Sequence, residues 1–95
     1  MKIGGIMTRC EIYFTGSVQG VGFRFTSKHV SRRFDVTGTV ENLADGRVKM
    51  VCEGDPAQIQ AFIVEVSQST HGRVTNTEIL DKRFSGEFKG FEIVG

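Results

Sequence analysis

The stretch Gly16-Ser17-Val18-Gln19-Gly20-Val21-Gly22-Phe23-Arg24 gathers the residue types that hold an oxyanion. Gly20 and Gly22 have no Cβ, so a ligand can approach the main chain closely there. A glycine-bearing turn can aim several backbone N–H groups at one point. A helix starting at Phe23 adds the partial positive charge of its N-terminus. Arg24 then falls in the first turn and offers a planar fork of donors. The chemistry is that of an oxyanion cradle, with a phosphate-sized group as guest. Taken alone, such a loop is more often an ordinary turn with a solvated arginine. It lacks the Gly-Lys-Ser/Thr of a P-loop and does not fit Gly-x-Gly-x-x-Gly. Asn42 is the second candidate, a polar residue closing the apolar phase of Val36 and Val40. The plain alternative is that it opens a hairpin turn.

Positioning these residues requires a strand before the loop and a helix after it. Cys10, Ile12 and Phe14 alternate with polar neighbours, predicting a strand over Arg9 to Thr15. Phe23, Ser27, Val30 and Phe34 recur at helical spacing, predicting a helix to Phe34 with Asp35 as a left-handed cap. Val36 to Asn42 and Arg47 to Glu53 read as strands joined through Asp45-Gly46, a hairpin signal. Asp55 is a good N-cap, Pro56 suits the first helical position, and Gln58 could complete a capping box. Ile59, Phe62, Ile63 and Val66 then mark an amphipathic helix, followed by a loop over Ser67 to Gly72. Val74 to Lys82 is a strand of poor alternation, and Phe91 to Val94 a short closing strand. Residues 1–8 read as a loose leader and 9–95 as one domain.

This order is the split βαβ arrangement of an α+β protein: an antiparallel sheet with two helices on one face. The first two strands run parallel with the third between them, so the glycine loop and Asn42 share one sheet edge roughly 10 Å apart. That gap accommodates a phosphate and a water.

The whole chain restricts the alternatives. Ninety-five residues suffice for one modest core. A net charge of +1 gives no general pull toward nucleic acid or an acidic membrane. No apolar run approaches membrane-spanning length and no signal peptide is evident, so a cytoplasmic protein is expected. Cys10 and Cys52 make neither a disulfide framework nor a zinc site. They read as buried reduced thiols, although strands this close make pairing conceivable. His29 and His71 read as surface residues, and no cluster has metal-ligand spacing. No cofactor is implied.

Gly16-x-Val18-Gln19-Gly20-Val21-x-Phe23-Arg24 resembles the first signature of the acylphosphatase family. Gly38-x-Val40-x-Asn42-x-x-x-Gly46-x-Val48, with Gly54 beyond, resembles the second. The resemblance runs from about Arg9 to the end of the chain. It implies a ferredoxin-like α/β sandwich and a small free-standing enzyme that hydrolyses acyl phosphates to a carboxylate and inorganic phosphate. It further implies that Arg24 and the Gln19–Arg24 backbone hold the phosphoryl group, that Asn42 orients the attacking water, and that no metal is needed. The partner would be a small molecule, without nucleic acid or membrane, and the protein a monomer. Thr39 and Glu41 depart from the family pattern on the face away from Asn42, and Asp35 replaces a usual glycine. A competing reading is an anion- or RNA-binding module without catalysis, for which Lys89-Gly90-Phe91-x-Ile93-Val94 offers a faint aromatic motif out of its expected place.

Overall fold

A computed structural model describes residues 6–95, so most of the expected leader lies outside the described residues. The elements are β1 (Thr8–Ser17), α1 (Phe23–Ser31), β2 (Val36–Asn42), β3 (Val48–Gly54), α2 (Pro56–Ser69), β4 (Arg73–Lys82) and β5 (Phe91–Ile93). The strand order is β4-β1-β3-β2-β5. Both β1 and β2 pair antiparallel with β3, so they are parallel to each other with β3 between them. The closing strand β5 joins β2 in parallel, so the sheet is mixed rather than wholly antiparallel.

The two helices cover one sheet face. Ile12, Phe14, Val40, Val48, Met50 and Cys52 point into the core beneath them. Helix α2 contributes Ile59, Phe62, Ile63 and Val66, the stripe its periodicity predicts. Phe62 meets Phe91 edge-on at 5.2 Å, so the aromatic of the Lys89–Val94 motif is a core residue and not an exposed stacking platform. Strand β4 is exposed along most of its length because neither helix reaches that edge, which explains its poor alternation.

Several local expectations give way to tertiary contacts. Thr8, assigned to the leader, already pairs with Gly54 as the first residue of β1. Helix α1 stops at Ser31, and the chain leaves through tightened i→i−3 bonds, Arg33 to Val30 and Phe34 to Ser31. Phe34 still reaches Phe62, at 5.9 Å, but Asp35 has no left-handed backbone. Asp55 does cap α2, accepting from the Ala57 N–H. Gln58 closes no capping box; its Oε1 accepts the Asp35 N–H at 2.9 Å. Helix α2 continues to Ser69, into the stretch expected as loop.

The connection from β4 to β5 must pass from one sheet edge to the other. It crosses the face opposite the helices, held by Glu53. The Glu53 side chain is only 1% exposed and accepts from the Ser85 N–H (2.8 Å), the Ser85 hydroxyl (2.9 Å), the Gly86 N–H (3.0 Å) and Arg9 (3.2 Å). Arg9 also lies over the Phe88 ring at 5.3 Å, and so grips the crossing at a second point. Burial pushes the Glu53 pKa up, but the donors from Ser85, Gly86 and Arg9 outweigh it and hold the carboxyl below its ordinary value. A depressed carboxyl pKa stabilises the fold above its unfolded value, and the contribution fades as pH falls through the folded value. Glu53→Gln is therefore expected to cost about 2 kcal/mol of unfolding free energy at neutral pH. The gap to wild type should close below roughly pH 4. Urea denaturation at both extremes checks this; an equal gap at both would show that charge does not anchor the crossing.

Candidate active site

The site begins where β1 runs out. Val18 and Phe23 are each 1% exposed and pin the two ends of the glycine loop in the core. Phe23 stacks on Phe14 with ring centroids 4.9 Å apart. Between these anchors Gly20 and Gly22 are exposed, and Gln19 and Val21 are half-buried. Gly20 and Gly22 have φ of 75° and 77°, the left-handed region that favours glycine. A Cβ built at either would meet no atom within 4 Å, so conformation rather than crowding requires glycine, and the space over the loop is open. Gly22 is the N-cap of α1, with no side-chain cap bond, and the first turn carries no acidic residue. The N–H groups of that turn are thus left to an external acceptor, with the helix dipole behind them.

Asn42 arrives from the other side of β3. Phe14 and Asn42 both stand opposite Val48, in one row across three strands. Two strand spacings separate β1 from β2 along that row, about 10 Å, as the topology predicts. Asn42 Oδ1 is buried and has no hydrogen-bond partner among the described residues. A buried acceptor left without a donor is costly, and in a native fold it marks a place where a donor is expected. Thr39 and Glu41 occupy the opposite phase of β2, with Glu41 facing Lys49 across the strands.

The Gly95 carbonyl oxygen bridges the two candidates. It accepts a bond from Arg24 Nη1 and another from the Asn42 N–H at 3.0 Å. One oxygen within reach of both residues shows that the arginine fork and the end of β2 converge on a common volume. No other described group bonds the Arg24 guanidinium.

The Gln19 backbone lies in the loop, and its side chain crosses to the β2–β3 turn, a contact the sequence does not announce. There Nε2 donates to the carbonyls of Leu43 (2.7 Å) and Arg47 (2.9 Å). Partners 24 and 28 residues away leave no periodic signal in the sequence.

His29, on α1, and His71, between α2 and β4, are both exposed. Cys10 and Cys52 face one another across β1 and β3 as free, buried thiols. Burial pushes the Cys52 thiol up to about 12, so it stays protonated at neutral pH. Among the described residues no His, Cys, Asp and Glu group is arranged to hold a metal, and no helix is long and apolar enough to cross a membrane.

The acylphosphatase family profile matches residues 10–93. An acylphosphatase of Thermococcus kodakarensis is 40% identical over 88 residues, covering 92% of this chain and 96% of the relative. One from Roseiflexus is 36% identical over 89 residues, covering 93% and 96%. The crystal structure of acylphosphatase from Bacillus subtilis superposes with a TM-score of 0.86 at 30% identity, covering 95% of this chain and all of that one.

The open, positive-φ glycines carry a test of their own. Gly22→Ala should cost roughly 1–2 kcal/mol in stability, the penalty of a Cβ in left-handed backbone. It should also weaken inorganic phosphate binding, because relaxing φ turns the N–H groups out of convergence. Calorimetric titration of phosphate into wild type and variant measures this; unchanged affinity in a folded variant would remove the loop from the binding site. The profile match over residues 10–93 and relatives 36–40% identical along nearly the whole length of both chains place this chain in the acylphosphatase family of hydrolases.

Proposed function

We propose that this protein hydrolyses the carboxyl–phosphate bond of acyl phosphates, giving a carboxylate and inorganic phosphate. The observation that carries the reading is the buried, unpartnered Asn42 Oδ1 beside an open amide cradle. The phosphoryl oxygens accept from the backbone N–H groups of the Gln19–Phe23 loop and from the Arg24 fork. A water molecule donates one O–H to Asn42 Oδ1, which turns its lone pair toward phosphorus. The water oxygen forms a bond to phosphorus as the bond to the acyl oxygen breaks, and a phosphate oxygen takes the released proton.

No general acid is required. The leaving carboxylate has a conjugate acid of pKa roughly 4, so it departs without protonation. Phosphoryl transfer of this kind is mainly positioning plus charge stabilisation, which a cradle, one arginine and one amide supply. Phosphate monoesters, whose alkoxide leaves poorly, should be poor substrates. The reading carries with it a monomeric cytoplasmic protein acting on a small molecule, without metal, nucleic acid or membrane. The burial of Phe91 counts against an RNA-binding role for its strand.

The test is turnover of benzoyl phosphate in the presence of EDTA by wild type, Arg24→Ala and Asn42→Ala. Both variants should lose on the order of 10²–10³-fold in kcat/KM. Arg24→Ala should also lose phosphate affinity, whereas Asn42→Ala should keep it, since Asn42 acts on the water. An inactive wild type would overturn the reading and leave a phosphate-binding module in its place.

A further inference from the structure

The sheet fixes Asn42 only as far as its last rung. Asn42 opposite Val48 is the final pair of the β2–β3 ladder, and beyond it the turn is held by local bonds. Leu43 N–H donates to Arg47 O at 2.8 Å and Gly46 N–H to Leu43 O at 3.2 Å. The two carbonyls that close this turn, Leu43 and Arg47, are the ones that receive the Gln19 carboxamide. Both Nε2 protons are thereby used, on a side chain whose own backbone belongs to the cradle. Gln19 is thus the direct bond between the loop that would hold the phosphoryl group and the turn adjoining the residue that would hold the water.

We infer that Gln19 is a positioning residue: its side chain fixes the separation between the amide cradle and Asn42, and so the distance from phosphorus to the attacking oxygen. The inference rests on the function proposed above. It assigns to the Gln19 side chain a role apart from any contact with substrate. In-line attack is sensitive to such distances, since a displacement near 1 Å can cost about 10²-fold in rate. The carboxamide suits the task because two donors on one nitrogen can span two carbonyls, which neither a carboxylate nor a thioether can do.

Two variants of similar length separate this role from general stabilisation. Gln19→Met removes the donors, and Gln19→Glu sets a carboxylate against two carbonyl oxygens. In both, kcat on benzoyl phosphate should fall about 10- to 100-fold, while competitive inhibition by inorganic phosphate stays within roughly threefold of wild type. A carboxyl facing two acceptors titrates above its usual range and regains one donor when protonated. The activity of Gln19→Glu relative to wild type should therefore rise as pH falls toward 5, whereas that of Gln19→Met should not.

Amide hydrogen exchange supplies a readout independent of activity: exchange at Leu43 and Gly46 should accelerate in Gln19→Met while β1 and β3 stay protected. Activity of both folded variants within twofold of wild type, or equal losses in kcat and phosphate affinity, would overturn the inference. Should wild type itself prove inactive, the function falls first. Unchanged exchange at Leu43 would then refute the clamp as well, and faster exchange would uphold it as a structural tie.

Discussion

The site depends on a strand that contributes no predicted site residue. Because β3 lies between β1 and β2, the glycine loop and Asn42 cannot approach closer than two hydrogen-bonded strand spacings. They cannot drift apart either, since the antiparallel ladders on both sides of β3 are continuous through Val48. Backbone hydrogen bonds set the width of the opening as far as the last rung of these ladders, and the Gln19 side chain ties the loop to the turn beyond it. Val48, wholly buried, stands between Phe14 and Asn42 in one row. Chemistry that consists mainly of placing a phosphoryl group and a water suits a rigid spacer of this kind.

Stability and chemistry are served on opposite faces of the sheet. On the helix side, apolar packing of α1 and α2 fixes the loop and leaves the N-terminus of α1 uncapped. On the other side, a buried carboxylate with a full set of donors ties down the long crossing that delivers β5 to β2. The strap in turn carries the backbone to Gly95, whose carbonyl oxygen meets Arg24. Buried charge sits where it can be fully satisfied, and among the described residues the buried side-chain acceptor left without a partner is Asn42 Oδ1.

What could be read beforehand was what repeats or caps locally. The i, i+3, i+4, i+7 stripe of α2, its Asp55-Pro56 start and the alternation of β2 are short-range patterns, and each element formed near its expected place. The element order then gave the topology, and the topology the convergence of the glycine loop with Asn42. What stayed hidden was what depends on residues far apart. Glu53 lies on the polar phase of β3, where exposure is the natural expectation, yet its partner Ser85 is 32 residues away. Gln58 is drawn from its capping role by Asp35, 23 residues earlier. Helix α1 ends early although Phe34 continues its stripe, because the backbone must turn to start β2. The bonds of the Gln19 carboxamide to the β2–β3 turn belong to this same long-range class.

The exposed edge formed by β4 bears on what the sheet offers to a neighbouring strand. Ten residues of strand lie open on one margin of the sheet, a length that would invite a neighbouring chain to add a strand. The opposite margin, β5, is only three residues long and offers little to pair with. On the long margin the register breaks opposite Thr15 and Gly16, where Thr75 is the extra residue, and this bulge interrupts the flat run. Arg73 begins the strand, and Glu78, Asp81 and Lys82 stud its second half, so an incoming strand would have to desolvate charges of both signs. Resistance to edge-to-edge polymerisation is thus written into the strand that the helices leave bare.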